Sequence, residues 1–125
     1  MANLMMADES YAIRGAVFEV HNQMGCGFLE AVYQECLENE LTRRGIPFEA
    51  HKQLSVIYKD EPLNQIYKPD IVCYDKIIIE LKAVRAIAAE HRAQLLNYLK
   101  LANMRLGFLI NFASHPRATI ERVVL

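Results

Sequence analysis

The segment Ile77-Ile78-Ile79-Glu80-Leu81-Lys82-Ala83 constrains this chain more than any other. Isoleucines followed by leucine and alanine read as a strand buried on both faces. Two charges interrupt the run. Glu80 and Lys82 are two residues apart, and side chains alternate along a strand, so both project from the same face. Burying an ion pair costs about as much as its attraction returns, and an apolar pair often serves as well. Charges kept inside such a strand point to chemistry rather than packing. The competing reading is a half-exposed strand whose polar face happens to hold them.

A second feature lies upstream. Asp70 follows Pro69 and precedes the apolar Ile71-Val72. Tyr74-Asp75-Lys76 reads as a tight turn centred on Asp75, from which positions 70 and 80 are equidistant. A hairpin built on that turn brings Asp70 beside Glu80. Two carboxylates on neighbouring strands supply hard oxygen ligands to Mg²⁺ or Mn²⁺. Standing alone, Asp70 would read as an aspartate on the surface next to a turn.

The rest of the chain supplies a frame for this hairpin. Residues 9–24 read as a helix, with Ile13, Ala16, Val17, Val20 and Met24 at helical spacing. Gly25-Cys26-Gly27 breaks it. A second helix is predicted from Phe28 to Arg44, stopping at Gly45. Residues 48–58 and 64–74 read as extended runs separated by the turn Lys59-Asp60-Glu61-Pro62, and 77–83 as the third strand. A helix from Ala88 to Ala102 follows, then strands at 105–112 and 119–124. The order α-α-β-β-β-α-β-β implies an α/β domain with a mixed sheet flanked by helices.

The chain has 125 residues, a length that suits one domain spanning 1–125 and able to bury its own core. No apolar run approaches the roughly 18 residues needed to cross a bilayer, so no membrane partner is expected. The segment MANLMMADES lacks the pattern of a signal peptide. The three cysteines, Cys26, Cys36 and Cys73, fit neither a CxxC zinc site nor a disulfide framework, and are expected as reduced thiols in the cytoplasm. The formal net charge of −1 excludes a protein that holds nucleic acid by bulk positive charge. A nucleic-acid ligand would need a local basic face, a bound metal or a dimer.

Pro69-Asp70, nine residues, then Glu80-Leu81-Lys82 resembles the PD-(D/E)XK nuclease signature. Gly27-Phe28-Leu29-Glu30-Ala31-Val32-Tyr33 reads GxxExxY and is similar to the GxxExxY protein family, a branch of that superfamily. Glu19-Val20-His21, Glu80-Leu81-Lys82-Ala83-Val84, Gln94-Leu95-Leu96-Asn97-Tyr98-Leu99, Leu106-Gly107 and Asn111-Phe112 extend the likeness over residues 9–125. The resemblance implies a restriction-endonuclease-like (PD-(D/E)XK) core. Glu30 projects into the apolar stripe of its helix, where a carboxylate needs a partner. The resemblance implies that it joins the metal site; the other reading is an edge position reaching solvent. Gln94 and Tyr98 share a helix face and resemble a QxxxY element that borders the active site of some relatives; a polar shoulder on an amphipathic helix is the other reading. His21 reads equally as a capping, core or ligating residue, and His91 as a residue within reach of a phosphate.

The expected function is a metal-dependent nuclease acting on DNA, with RNA the lesser choice. Asp70 and Glu80, with Glu30 and the Leu81 carbonyl, would hold Mg or Mn. Lys82 would orient the attacking water or stabilise charge on the phosphate. The alternative is a non-catalytic nucleic-acid-binding or protein-interaction module that retains the nuclease fold. A homodimer or a larger complex fits either.

Overall fold

The computed structural model describes residues 6–125; residues 1–5, where the N-terminal segment read above for a leader begins, lie outside the described residues. Helix α1 spans Ala7–Met24 and α2 Glu30–Arg43. Strands β1 Phe48–Ala50, β2 Leu54–Tyr58, β3 Glu61–Tyr67, β4 Ile71–Cys73 and β5 Ile77–Lys82 follow. Helix α3 spans Ala89–Ala102, and β6 Leu106–Asn111 and β7 Thr119–Val124 complete the order. Among the described residues no helix is long and apolar enough to cross a membrane.

The expected order of elements holds, with one refinement. Each of the first two extended runs is broken, and the pieces belong to different sheets. One sheet has the order β1-β4-β5-β6-β7; the other is the hairpin β2-β3. The breaks have local causes. His51 adopts a left-handed backbone (φ 53) directly after β1. On the returning chain Pro69 has no N–H to continue a ladder.

Within the larger sheet β5 pairs antiparallel with β4 and parallel with β6, so the sheet is mixed. The parallel pair requires a crossover, which α3 provides. Side-chain alternation then sorts the core. Ile77, Ile79 and Leu81 pack with Ile13, Val17, Tyr33 and Leu37 on the side of α1 and α2. Ile78 packs with Val72, Leu95, Leu99 and Leu109 on the side of α3. Every residue of β6 is buried, as is every residue of β5 except Lys82. Gly107 on β6 permits the close approach of α3, since a Cβ there would lie 2.9 Å from a methyl of Leu95.

Candidate active site

The β4–β5 hairpin turns through Tyr74 and Asp75, both left-handed at φ 56. Its ladder pairs Ile71 with Ile79 and Cys73 with Ile77. Extending the register one step sets Asp70 opposite Glu80. The two residues are joined reciprocally through the backbone. The Asp70 N–H donates to Glu80 Oε2 at 2.7 Å, and the Leu81 N–H donates to Asp70 Oδ2 at 2.8 Å. These bonds orient the pair, and each carboxylate keeps an oxygen outside them.

Glu80 is only 6% exposed and Asp70 is half-buried. Burial disfavours the ionised form and two adjacent carboxylates repel. Glu80 is pushed up to about 8, first by burial and then by the Asp70 charge, against its hydrogen bond from Asp70 N–H and the charge of Lys82. Asp70 is raised above the ordinary aspartate range, again chiefly by burial, while the Leu81 N–H, Lys82 and His51 oppose the shift. Lys82 thus lies within the field of both acids. Among the described ion pairs it has none, so the buried Glu80–Lys82 pair that would make both residues structural is not formed.

Of the two sequence readings of Glu30, its exposure matches the edge position reaching solvent. It is exposed rather than turned into the core, because α2 begins at Glu30 and not at Phe28, so its first turn projects past the packed stripe. Its Oε2 accepts the Ala83 N–H at 3.4 Å, at the end of β5. Its charge raises both Asp70 and Glu80. A cavity of about 190 Å³ is lined by Glu30, Ala31, Gln34, His51, Asp70 and Leu81. A larger groove of about 460 Å³ between α1 and α2 contains none of these residues.

Tyr98 and Gln94 are placed unlike one another. Tyr98 is 7% exposed, and its ring centroid lies 4.7 Å from that of Tyr67 at the end of β3. Its phenol is raised to about 12, first by burial and then by Glu80. Tyr98 therefore lies within the field of Glu80. Gln94, one turn earlier, is exposed. His91 is occupied within its own helix, where its Nδ1 accepts the Ala88 N–H at 3.0 Å. His21 is buried, with Nε2 3.1 Å from the Ser114 carbonyl oxygen.

Gln34 was not singled out by sequence reasoning, and Asn111 and Tyr33 entered it as motif positions without a role. Gln34 Nε2 donates to the Asp70 carbonyl at 3.0 Å and to Glu38 at 2.8 Å. Asn111, 2% exposed, clamps the end of β5: its Oδ1 accepts the Val84 N–H at 3.1 Å and its Nδ2 donates to the Val84 carbonyl at 2.8 Å. A buried asparagine ending an otherwise apolar strand was the available signal. Tyr33 donates its phenol proton to the Gly25 carbonyl at 2.5 Å, accepts the Phe28 N–H, and stacks on Phe112 with centroids 4.6 Å apart. This ties down the loop that precedes Glu30.

The donor set suits a hard divalent cation. Mg²⁺ keeps several waters and is commonly held by one or two carboxylates. Asp70 and Glu80 supply two, both in surroundings that penalise uncompensated negative charge. Among the described residues no three His, Cys, Asp or Glu side chains gather into a closed ligand cluster.

No curated protein matches the chain. The crystal structure of SSO0001 is similar, with a TM-score of 0.56 and 13% sequence identity over 97% of this chain and 78% of that one. That likeness concerns the fold. The family profile of the PD-(D/E)XK nuclease superfamily matches residues 7–123. Asp70 and the Glu80-Leu81-Lys82 strand lie within that match, and the chain belongs to the PD-(D/E)XK nuclease superfamily.

Proposed function

We propose that this chain is a single-domain, cytoplasmic, metal-dependent nuclease of the GxxExxY branch that hydrolyses phosphodiester bonds, with DNA as its substrate. The observation that carries the reading is the reciprocal, backbone-locked pair of the half-buried Asp70 and the buried Glu80 at the end of the hairpin, with Lys82 in its field. Asp70 and Glu80 would hold Mg²⁺ or Mn²⁺, with the Leu81 carbonyl and the exposed Glu30 available as further ligands. A cation held there would polarise a phosphate and lower the pKa of its water. Lys82 shares a strand face with Glu80, so its ammonium is available to the attacking water or to the phosphate oxygens as they gain charge. Tyr98 and Gln94 border the substrate on the side of α3.

Pure protein with Mn²⁺ and a panel of single-stranded, double-stranded and branched oligonucleotides tests this reading. Metal-dependent cleavage that Asp70→Asn abolishes is expected. Calorimetry showing no Mn²⁺ binding at millimolar metal would remove the site assignment. The net charge of −1 favours a second reading, a nucleic-acid-binding or protein-interaction module without turnover, and Mn²⁺ binding with no substrate in the panel cut would establish it. A homodimer or larger complex would enlarge the small surface available to substrate.

A further inference from the structure

Next to the carboxylate pair a run of chain leaves exposed apolar side chains among a few cations. The β2–β3 hairpin forms an arm that leaves the larger sheet and returns to it at Asp70. At its start the His51 N–H donates to the Asp70 carbonyl at 3.1 Å. At its end Lys68-Pro69 runs directly into Asp70. The base of the arm is fixed, with Leu54 buried and Tyr67 packed on Tyr98. Its outer part is not covered: Ile57 is 52% exposed, Tyr58 61%, Leu63 44% and Ile66 43%. Lys59, at the turn, lies 5.5 Å from the centroid of the Tyr58 ring. Leu29 is 77% exposed and immediately precedes Glu30, whose Oε2 accepts the Ala83 N–H just after β5.

Exposed apolar side chains of this kind suit one form of nucleic acid better than another. A duplex presents phosphates outward and hides its base faces, so its binding runs on lysine and arginine. An unpaired strand exposes its base faces, which stack on aromatic and apolar side chains. A nearly neutral protein with Tyr58 exposed at the tip of the arm and Leu29 exposed beside Glu30 has little with which to hold a duplex. It has much with which to hold bare bases. Lys59 and the exposed Lys68 add charge along the arm for the strand's phosphates.

Resting on the nuclease reading above, we infer that the site takes a nucleic-acid strand whose bases are unpaired, stacked on the β2–β3 arm and on Leu29 as it crosses Asp70 and Glu80. The arm is a substrate platform, and the substrate class is single-stranded or locally melted nucleic acid.

The test is equilibrium binding by fluorescence anisotropy, with the full chain, in EDTA so that no cleavage intervenes. The probes are a labelled mixed-sequence single-stranded DNA and the same strand annealed to its complement. The single strand should bind at least about tenfold tighter than the duplex. Tyr58→Ala combined with Leu29→Ser should cost about tenfold in single-strand affinity, the scale of losing one stacked base, with duplex affinity unchanged. Melting temperature and circular dichroism establish that the variant is folded, and the single variant Tyr58→Ala provides a milder change should the double one unfold. Equal wild-type affinity for both probes, or full single-strand affinity in the variants, overturns the inference. So does a shift in oligomeric state of the variants without loss of single-strand binding, which makes the arm an interface between copies. A cleavage assay with Mn²⁺ separates this inference from the one beneath it. Cutting duplex as fast as single strand keeps the nuclease and removes the platform. Tight, variant-sensitive single-strand binding without any cleavage keeps the platform and removes the nuclease.

Discussion

The two hairpins of this protein are built alike and used oppositely. Each turns through two consecutive non-glycine residues in the left-handed region, Lys59-Asp60 in one and Tyr74-Asp75 in the other. Turns with this backbone match the twist of the strands they join. Yet β4 and β5 are buried almost throughout, while β3 is exposed up to Tyr67. Each hairpin also breaks the usual partition of residue types. The buried one encloses a charged residue, and the exposed one displays large apolar side chains. Local chemistry makes a hairpin, whereas the layers packed against it decide what its side chains experience. Departures from the expected partition are where function is most economically sought.

The contrast can be broken most directly through packing. Ile79→Ala removes a fully buried side chain from β5 and should cost about 2–5 kcal/mol. Ile66→Ala on β3 should stay within about 0.5 kcal/mol, as exposed positions do. Urea denaturation of both variants reads the difference, and equal losses would mean that the arm packs more tightly than its exposure shows.

The charges on the buried hairpin come next. Lys82→Met keeps the apolar stem and removes the ammonium. Cleavage should fall by about 10²–10³-fold, the scale of one preorganised electrostatic donor, with little change in melting temperature. A large loss of stability with unchanged cleavage would make Lys82 structural.

Smaller still is the response of stability to pH. Glu80 sits at about 8 in the folded protein against an ordinary value of 4.5. The folded state therefore holds its proton where the unfolded chain has lost it. Stability from this group is fully present below about pH 4.5 and is lost as pH rises toward 8, by at most about 1.4 kcal/mol per pH unit. Asp70 is shifted in the same direction. Denaturation in metal-free buffer should show this fall, and Glu80→Gln should flatten it. A metal-free protein that gains stability across that window would contradict the raised carboxyls.

The smallest effect is expected at Gln94, which is exposed on α3. Gln94→Ala should weaken oligonucleotide binding or turnover by about fivefold, the worth of one hydrogen bond, and leave Mn²⁺ affinity intact. A parallel loss of metal binding would move Gln94 from the substrate to the metal.

Much of the buried hairpin was legible because position in a hairpin is arithmetic. Asp70 and Glu80 could be paired by counting from Asp75, and the isoleucines announced burial on both faces. The arm was not legible in the same way. Period-two patterning identifies an extended run but does not say that the run bends out of its sheet at His51 and Pro69. Glu30 illustrates another limit: a helical projection assigns a face, but exposure depends on whether neighbouring layers reach that turn. Gln34, Tyr33 and Asn111 act on backbone groups, and the bond from Gln34 to Asp70 joins residues 36 apart in sequence. No local pattern encodes such a partner.

The parallel pairing of β5 with β6 has a consequence for the order in which the site is assembled. The bonds between the Asp70 and Glu80 segments close loops of 10 and 11 residues. The clamp of Asn111 on Val84 spans 27 and waits until α3 has carried the chain back across the sheet. Short loops close at lower entropic cost and sooner than contacts distant in sequence. The carboxylates can thus meet while the end of the strand bearing Lys82 is still unsecured, and the backbone beyond Lys82 is clamped only when the crossover is complete.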